Sequence, residues 1–166
     1  DHSKFMRMIH VQCDWEAPLY WWKEADTYKV GTVRNSCSTM HKITEHEFTM
    51  DMFSYEHLFD FFPGEQHNST DILKITIKHL NAMRNVLNSL DQDDPLRKEY
   101  WWQLIQLLPS SYNQKATMDL NYQVLRNMYH PRKHHRQDEW RIGFCNWVKT
   151  LPYSELITMT KEELLE

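Results

Sequence analysis

Residues 107–132 constrain the fold of this chain most, because helix and strand signals alternate over a short distance. A helix is predicted to stop at Pro109, since proline cannot continue a helix interior. A polar loop follows, and then a short alternating run over residues 116–121 predicts a strand. Residues 122–129 predict a further helix.

The remainder of the chain adds more helices than strands. Residues 5–11 alternate between apolar and polar side chains and predict a strand, and residues 19–25 predict an aromatic-rich helix. The clearest helix is expected over residues 69–90, where apolar side chains recur at helical spacing. Residues 137–151 predict a late helix. The pattern indicates an α+β fold, and its length predicts a single domain over residues 1–166.

Composition excludes several classes of function. The net charge is −4 and the pI is about 6.2, whereas a broad nucleic-acid surface needs a basic field. We therefore expect no nucleic-acid partner. No apolar run approaches the roughly 18 residues that a membrane span needs, so no membrane association is expected.

Cysteine usage indicates the compartment. The 3 cysteines are widely spaced and form no CxxC pair, which is typical of a reduced cytoplasmic protein. The chain begins at Asp1 without a methionine, and we expect it to be a processed or trimmed piece.

Polar side chains with binding chemistry are concentrated late in the chain. Asn121, Asn127 and Arg132 follow the predicted strand, and the last two lie five residues apart on one helix. An amide and a guanidinium together suit a planar ring and a phosphate. Helix capping and a solvated arginine are the structural alternative for any one of these residues.

A basic run, His130-Pro-Arg-Lys-His-His-Arg136, follows immediately. Two histidines four apart can ligate zinc from one helix face. However, Pro131 and the flanking cations oppose a metal, and no carboxylate or cysteine nearby completes a ligand set. We predict no metal site, and expect either a local phosphate-binding patch or a solvated helix junction.

The order of these motifs resembles the flavin-dependent thymidylate synthases. That family has a Leu-Pro, then a Tyr, two Asn and an Arg at the intervals seen here. The matching residues are Leu108, Pro109, Tyr112, Asn121, Asn127 and Arg132. Earlier in the chain, Asn35 and Ser38 match the family's Asn-Glu-x-Ser loop, and Asp1–His2 looks like its Glu-His pair.

The resemblance implies a small antiparallel sheet packed with several helices, preceded in the family by a further N-terminal segment. It implies FAD as cofactor, and a homotetramer that methylates dUMP with methylenetetrahydrofolate and NADPH. Contacts to FAD are implied for His2, Asn121, Asn127, His134 and His135. Contacts to the nucleotide are implied for Asn35, Ser36, Ser38 and Arg132. Ser38 would lie near the base, and Lys29 would partly replace the basic residues of the family's active site.

The chain also departs from the family's pattern. The family's Arg-His-Arg triplet should fall near residues 27–30, where only Lys29 is basic. Ser36 stands in place of the loop glutamate, and Met40 in place of an arginine. Three hypotheses therefore stay open. The chain is a divergent enzyme of this type, a nucleotide-binding protein that has lost catalysis, or an interaction protein whose many aromatic side chains lie at oligomer contacts.

Overall fold

The computed structural model describes residues 3–36, 38, 42–160 and 162–163. Backbone contacts divide them into two compact units. The first unit comprises the described parts of 1–36 and 115–166, and the second comprises those of 37–114. The prediction of a single domain stays a prediction. Among the described residues, no helix is both long and apolar enough to cross a bilayer.

The first unit begins with a 3-10 helix, Ser3–Met8, followed by strand β1, His10–Pro18, and helix α1, Leu19–Ala25. Strand β2 is Val33–Ser36. The predicted strand over residues 5–11 was therefore wrong in most of its length. Met6 turns into the core from a helical turn, and the inside–outside alternation belongs to β1 instead.

The next strand in the chain is β3, and the remaining helices of the first unit come after it. This strand spans Asn113–Asn121, and helix α4 begins directly after it and spans Tyr122–Arg132. The single late helix predicted over residues 137–151 is divided into a π-helix, Glu139–Phe144, and helix α5, Cys145–Lys149. Helix α6, Glu155–Thr158, is the last in the described part.

The sheet has the strand order β1-β3-β2 among the described residues. Strands β2 and β3 are antiparallel, with Asn35 opposite Thr117 and Ser36 opposite Ala116. One face of the sheet and helix α4 contribute to a core rich in tryptophan. Its fully enclosed side chains include Leu120, Leu125, Met128, Trp140, Val148 and Ile157.

The second unit is helical. It contains a 3-10 helix, Met50–Met52, and helices α2, Ser69–Ser89, and α3, Leu96–Leu107. The Asn68 side chain caps α2 by accepting from the Asp71 N–H at 2.8 Å. Leu80 and Leu104 are fully enclosed in a core separate from that of the first unit.

Candidate functional site

The turn after α1 contacts both ends of helix α4. Gly31 has φ +77°, and a Cβ there would lie 3.0 Å from Val124 and 3.3 Å from Asn121 Nδ2. The backbone at Gly31 therefore approaches the beginning of α4 so closely that only glycine fits there. At the other end, Arg132 Nε donates to the Tyr28 hydroxyl at 3.0 Å. The turn thus runs along α4.

Arg132 is held by a cluster of internal partners. Its Nη1 lies 2.5 Å from Glu24 Oε1, on helix α1. Its guanidinium carbon lies 4.9 Å from the centre of the Trp140 ring and 5.4 Å from that of Tyr28. Only 13% of the side chain is exposed. The positive charge predicted to bind phosphate is therefore neutralised by a carboxylate of the same chain.

His135 belongs to the same cluster. Its Nε2 lies 3.2 Å from Glu24 Oε2, and its Nδ1 accepts from the Gln137 N–H at 3.2 Å. Because Nδ1 is an acceptor, the hydrogen bonds assign the proton to Nε2. Glu24 therefore accepts from both Arg132 and His135. His134, the neighbouring candidate, is exposed.

The two candidate asparagines are differently placed. Asn121 caps α4, its Oδ1 accepting from the Val124 N–H at 3.0 Å, and it is nearly buried. Asn127 is exposed, and its Oδ1 accepts from Gln123 Nε2 at 3.1 Å. With a rise of about 1.5 Å per residue, Asn121 and Arg132 are roughly 16 Å apart along α4. The three residues do not form one cluster, and none lines the cavities of 320 and 390 Å³ in this unit.

The earlier candidates are spread over two units. Asn35 and Ser36 are exposed on strand β2, which lies at the edge of the described sheet, and Lys29 is exposed in the turn. Ser38 belongs to the second unit, where its carbonyl accepts from the Lys42 N–H at 3.1 Å. His2 lies outside the described residues. The binding roles of all these residues stay predictions.

Sequence reasoning missed Glu24 and Tyr28, the two partners of Arg132. Neither belongs to a recognisable motif, and both are far from Arg132 along the chain, so no local signal would have found them. It also passed over Arg34, which pairs with Asp26 at 2.7 Å and lies 3.9 Å above the Trp22 ring. Among the described residues, no group of three or more His, Cys, Asp or Glu side chains is placed to hold a metal ion.

His130, two residues before Arg132 on helix α4, is a partly buried histidine that makes the stability of the fold depend on pH. Its Nε2 is buried without a hydrogen-bond partner. Burial lowers the pKa of His130 below 6.5, with Arg126 and Lys133 adding repulsion and Glu163 opposing it. The unfolded chain therefore takes up a proton that the folded chain resists. The contribution to stability is present above pH 6.5 and is lost as pH falls below it toward the folded pKa.

We expect His130→Gln to reduce this acid sensitivity. The free energy of unfolding, measured by urea titration at several pH values below 6.5, should decline less steeply for the variant than for the natural chain. His134→Gln, at an exposed position, serves as the control and should leave the slope unchanged. An equal slope for all three proteins would show that His130 does not carry the effect.

Known structures share this architecture. A scan of protein-family models and a search of characterised proteins found no match. Thymidylate Synthase X (ThyX) from Helicobacter pylori, solved with FAD and dUMP, matches over 93% of this chain and 73% of its own, with TM-score 0.61 and 12% identity. A second structure, flavin dependent thymidylate synthase ThyX from the same bacterium complexed with FAD and dUMP, has TM-score 0.60 and 12% identity over 93% and 73% of the two chains. The UMP/dUMP methylase PolB from Streptomyces cacaoi, bound with 5-Br dUMP, has TM-score 0.49 and 16% identity over 92% and 72%.

The two ThyX matches define the class of fold. The chain is an α+β protein with a small sheet packed with helices. More particularly, its fold is that of the flavin-dependent thymidylate synthases, and it is similar to ThyX of Helicobacter pylori. The resemblance that residues 107–132 suggested is thereby confirmed at the level of the fold.

Proposed function

We propose that this chain is a nucleotide-binding protein with the flavin-dependent thymidylate synthase fold, in which methylation chemistry has lapsed. Its ligand would be a uridine nucleotide such as dUMP, with the phosphate at Arg132. The single observation that carries the proposal is the pairing of Arg132 with Glu24 at 2.5 Å, beside the Tyr28 hydroxyl. A guanidinium that already holds one carboxylate is preorganised to hold a phosphate oxygen in its place.

The same residues offer little to FAD. Asn121 Oδ1 caps helix α4, and His135 donates to Glu24, so two of the implied flavin contacts serve the fold. FAD supplies hydride transfer in the relatives' chemistry. The residues present therefore do not fit this cofactor.

A divergent methylating enzyme is the second candidate. The enzyme hypothesis is favoured by the positions of Asn121, Asn127 and Arg132. All three lie on or next to helix α4, in the order that the family resemblance requires. In this scheme FAD, NADPH and methylenetetrahydrofolate would accompany dUMP, and the homotetramer of the family would complete the site. Lys29, Ser38 and His2 would then contribute to it.

Substituting Arg132 tests the nucleotide site. We expect Arg132→Ala to weaken dUMP binding by about 10- to 100-fold, because a charge-assisted contact contributes about 1.5–3 kcal/mol. Isothermal titration calorimetry with dUMP measures the change. Arg141→Ala is the matched control, since Arg141 is half-exposed and pairs with Asp138, which lies three residues earlier at the start of the same π-helix.

Two further readouts separate the hypotheses. A purified protein without flavin absorbance that dUMP still stabilises supports the proposal, since a bound ligand raises apparent stability by mass action. A yellow protein that forms dTMP from dUMP when FAD, NADPH and methylenetetrahydrofolate are added supports the enzyme. No response to dUMP or to FAD contradicts both and favours the interaction protein.

A further inference from the structure

Strand β1 is a free edge of the sheet in the first unit. Among the described residues, β3 pairs with β1 on one side and no strand pairs with it on the other. The strand is 9 residues long, contains no lysine, and has a proline only at its last position, Pro18. Long edge strands that lack lysine, proline or a covering element are templates for pairing with another strand. The outer edge of β1 is therefore a candidate surface for strand pairing.

Two cavities lie along this outer edge. Residues 9–12 line the cavity of 390 Å³, and residues 14–17 line the cavity of 320 Å³. Successive side chains of a strand point to opposite faces, so a run of consecutive residues borders one cavity only along the edge of the strand. The backbone N–H and C=O groups of this edge are therefore accessible to a partner.

The exposed face of β1 carries polar side chains that already contact β3. His10 Nδ1 lies 3.1 Å from Asp119 Oδ1, and Lys115 Nζ lies 3.3 Å from Glu16 Oε2. Both contacts are made on the β3 side, and a residue inside a sheet has a neighbour in the strand on each side. The side chains of His10 and Glu16 stay 61% and 48% exposed, so a strand added at the outer edge can still reach them.

The sequence of β1 is complementary to itself when two copies run antiparallel. An alignment with Cys13 opposite Cys13 pairs every residue from His10 to Glu16. On the exposed face, His10 then lies opposite Glu16, and Gln12 lies opposite Asp14. An imidazole donates to a carboxylate, and so does a carboxamide, so each exposed pair joins a donor to an acceptor.

Other alignments of two β1 strands are less favourable. A two-fold axis at Asp14 sets that carboxylate against itself, and a parallel pair in register does the same for Asp14 and for Glu16. Like charges directly opposite each other destabilise a sheet. An axis at Gln12 sets Glu16 opposite Met8, which lies in the 3-10 helix before the strand. The axis at Cys13 is therefore the alignment that the sequence favours.

We propose that β1 pairs with β1 of a second copy of this chain across a two-fold axis at Cys13, which joins the two sheets into one. On the core face, Val11 of one copy then lies opposite Trp15 of the other, a pairing of β-branched and aromatic side chains that stabilises sheets. Residues 10–16 form a small interface, so we expect a dissociation constant on the order of micromolar. This surface is separate from Arg132 and its partners.

Reversing the charge at each end of the paired segment tests the proposal. His10→Glu sets two acids opposite each other, and Glu16→Lys sets a lysine opposite His10. Each variant alone should sediment at half the mass of the natural assembly. An equimolar mixture of the two should regain that mass, because the introduced glutamate then faces the introduced lysine. Glu45→Lys, at a position 49% exposed in the second unit, is the matched control and should keep the natural mass.

Thiol cross-linking decides if either variant lacks the natural circular dichroism spectrum. Opposite residues of an antiparallel pair have Cα atoms about 4.5–5.5 Å apart, which a disulfide can span. Burial and Asp14 raise the pKa of Cys13 to about 11, so oxidation with diamide is run for hours at mildly alkaline pH. A covalent dimer is expected from the natural chain and from Cys37→Ser, but not from Cys13→Ser.

Several results would overturn the proposal. These are a natural chain that stays monomeric well above micromolar concentration, single variants that keep the natural mass, and a mixture that does not regain it. In the cross-linking experiment, the absence of a covalent dimer, or a dimer that survives Cys13→Ser, has the same consequence. Titration with dUMP uses none of these variants, so failure of either proposal leaves the other standing.

Discussion

Glu24→Gln is expected to tighten dUMP binding by about tenfold, the opposite of the effect of Arg132→Ala. The glutamate oxygen that lies 2.5 Å from Arg132 Nη1 occupies the place that a phosphate oxygen would take. Removing its charge removes both the competitor and the repulsion between two anions. Glu24 is one-third exposed, so solvent screening keeps the gain near one factor of ten, or roughly 1.4 kcal/mol.

Glutamine is the informative replacement because it keeps the size of the side chain and one acceptor oxygen for Arg132, whereas its NH2 group no longer accepts from His135. Glu45→Gln makes the same change of charge in the second unit, where Glu45 pairs with Lys42, and should leave affinity unchanged. Titrations of dUMP at low and moderate salt provide the measurement. Weaker binding in Glu24→Gln would mean that Glu24 orients Arg132 for the ligand and does not compete with it.

Trp140→Ala is expected to lower the free energy of unfolding by about 3–5 kcal/mol, the range for removing a large buried aromatic side chain. Trp140 is 0% exposed. Its ring stacks on Trp21 with centres 4.3 Å apart and contacts Phe144 at 5.2 Å. The substitution would leave a cavity among these rings and would also remove the surface over which Arg132 lies.

Urea denaturation followed by circular dichroism measures this loss. Trp102→Ala is the matched control, because Trp102 is 40% exposed and its truncation should cost about 1 kcal/mol or less. Trp140→Phe should fall between the two, since it retains part of the stacking area. Similar losses for Trp140→Ala and Trp102→Ala would show that the tryptophan cluster does not dominate the stability of the first unit.

Much of the local structure was predictable from the sequence. Residues 19–25 were predicted as a helix, and the structure has α1 at Leu19–Ala25. The capping pattern of Thr160 and Glu163 is also local, with the Thr160 N–H donating to the Glu163 carboxylate at 2.6 Å. Such elements depend on residues within one or two turns of each other, so the signal lies in the local sequence.

Other elements were shifted or divided. Strand β1 begins five residues later than predicted because residues 3–8 form a 3-10 helix, and the alternating run over residues 10–16 belongs to the strand. The late helix contains a π-helical segment, Glu139–Phe144, although its buried residues Trp140 and Phe144 are four apart, a spacing that an ordinary α-helix also places on one face, so the pattern gave no local signal for it. The homotetramer, the cytoplasmic location and the site roles stay predictions.

The sequence by itself determined the succession of elements around residues 107–132 and, through it, the resemblance to a known fold. Only the tertiary structure decided what Arg132 does, since it brings Glu24, Tyr28 and His135 to that side chain from distant parts of the chain. The physical reason is the separation along the sequence over which each kind of interaction acts. Capping and periodicity act between near neighbours in sequence, whereas the charge compensation of a nearly buried guanidinium depends on whichever carboxylate the packed helices place beside it.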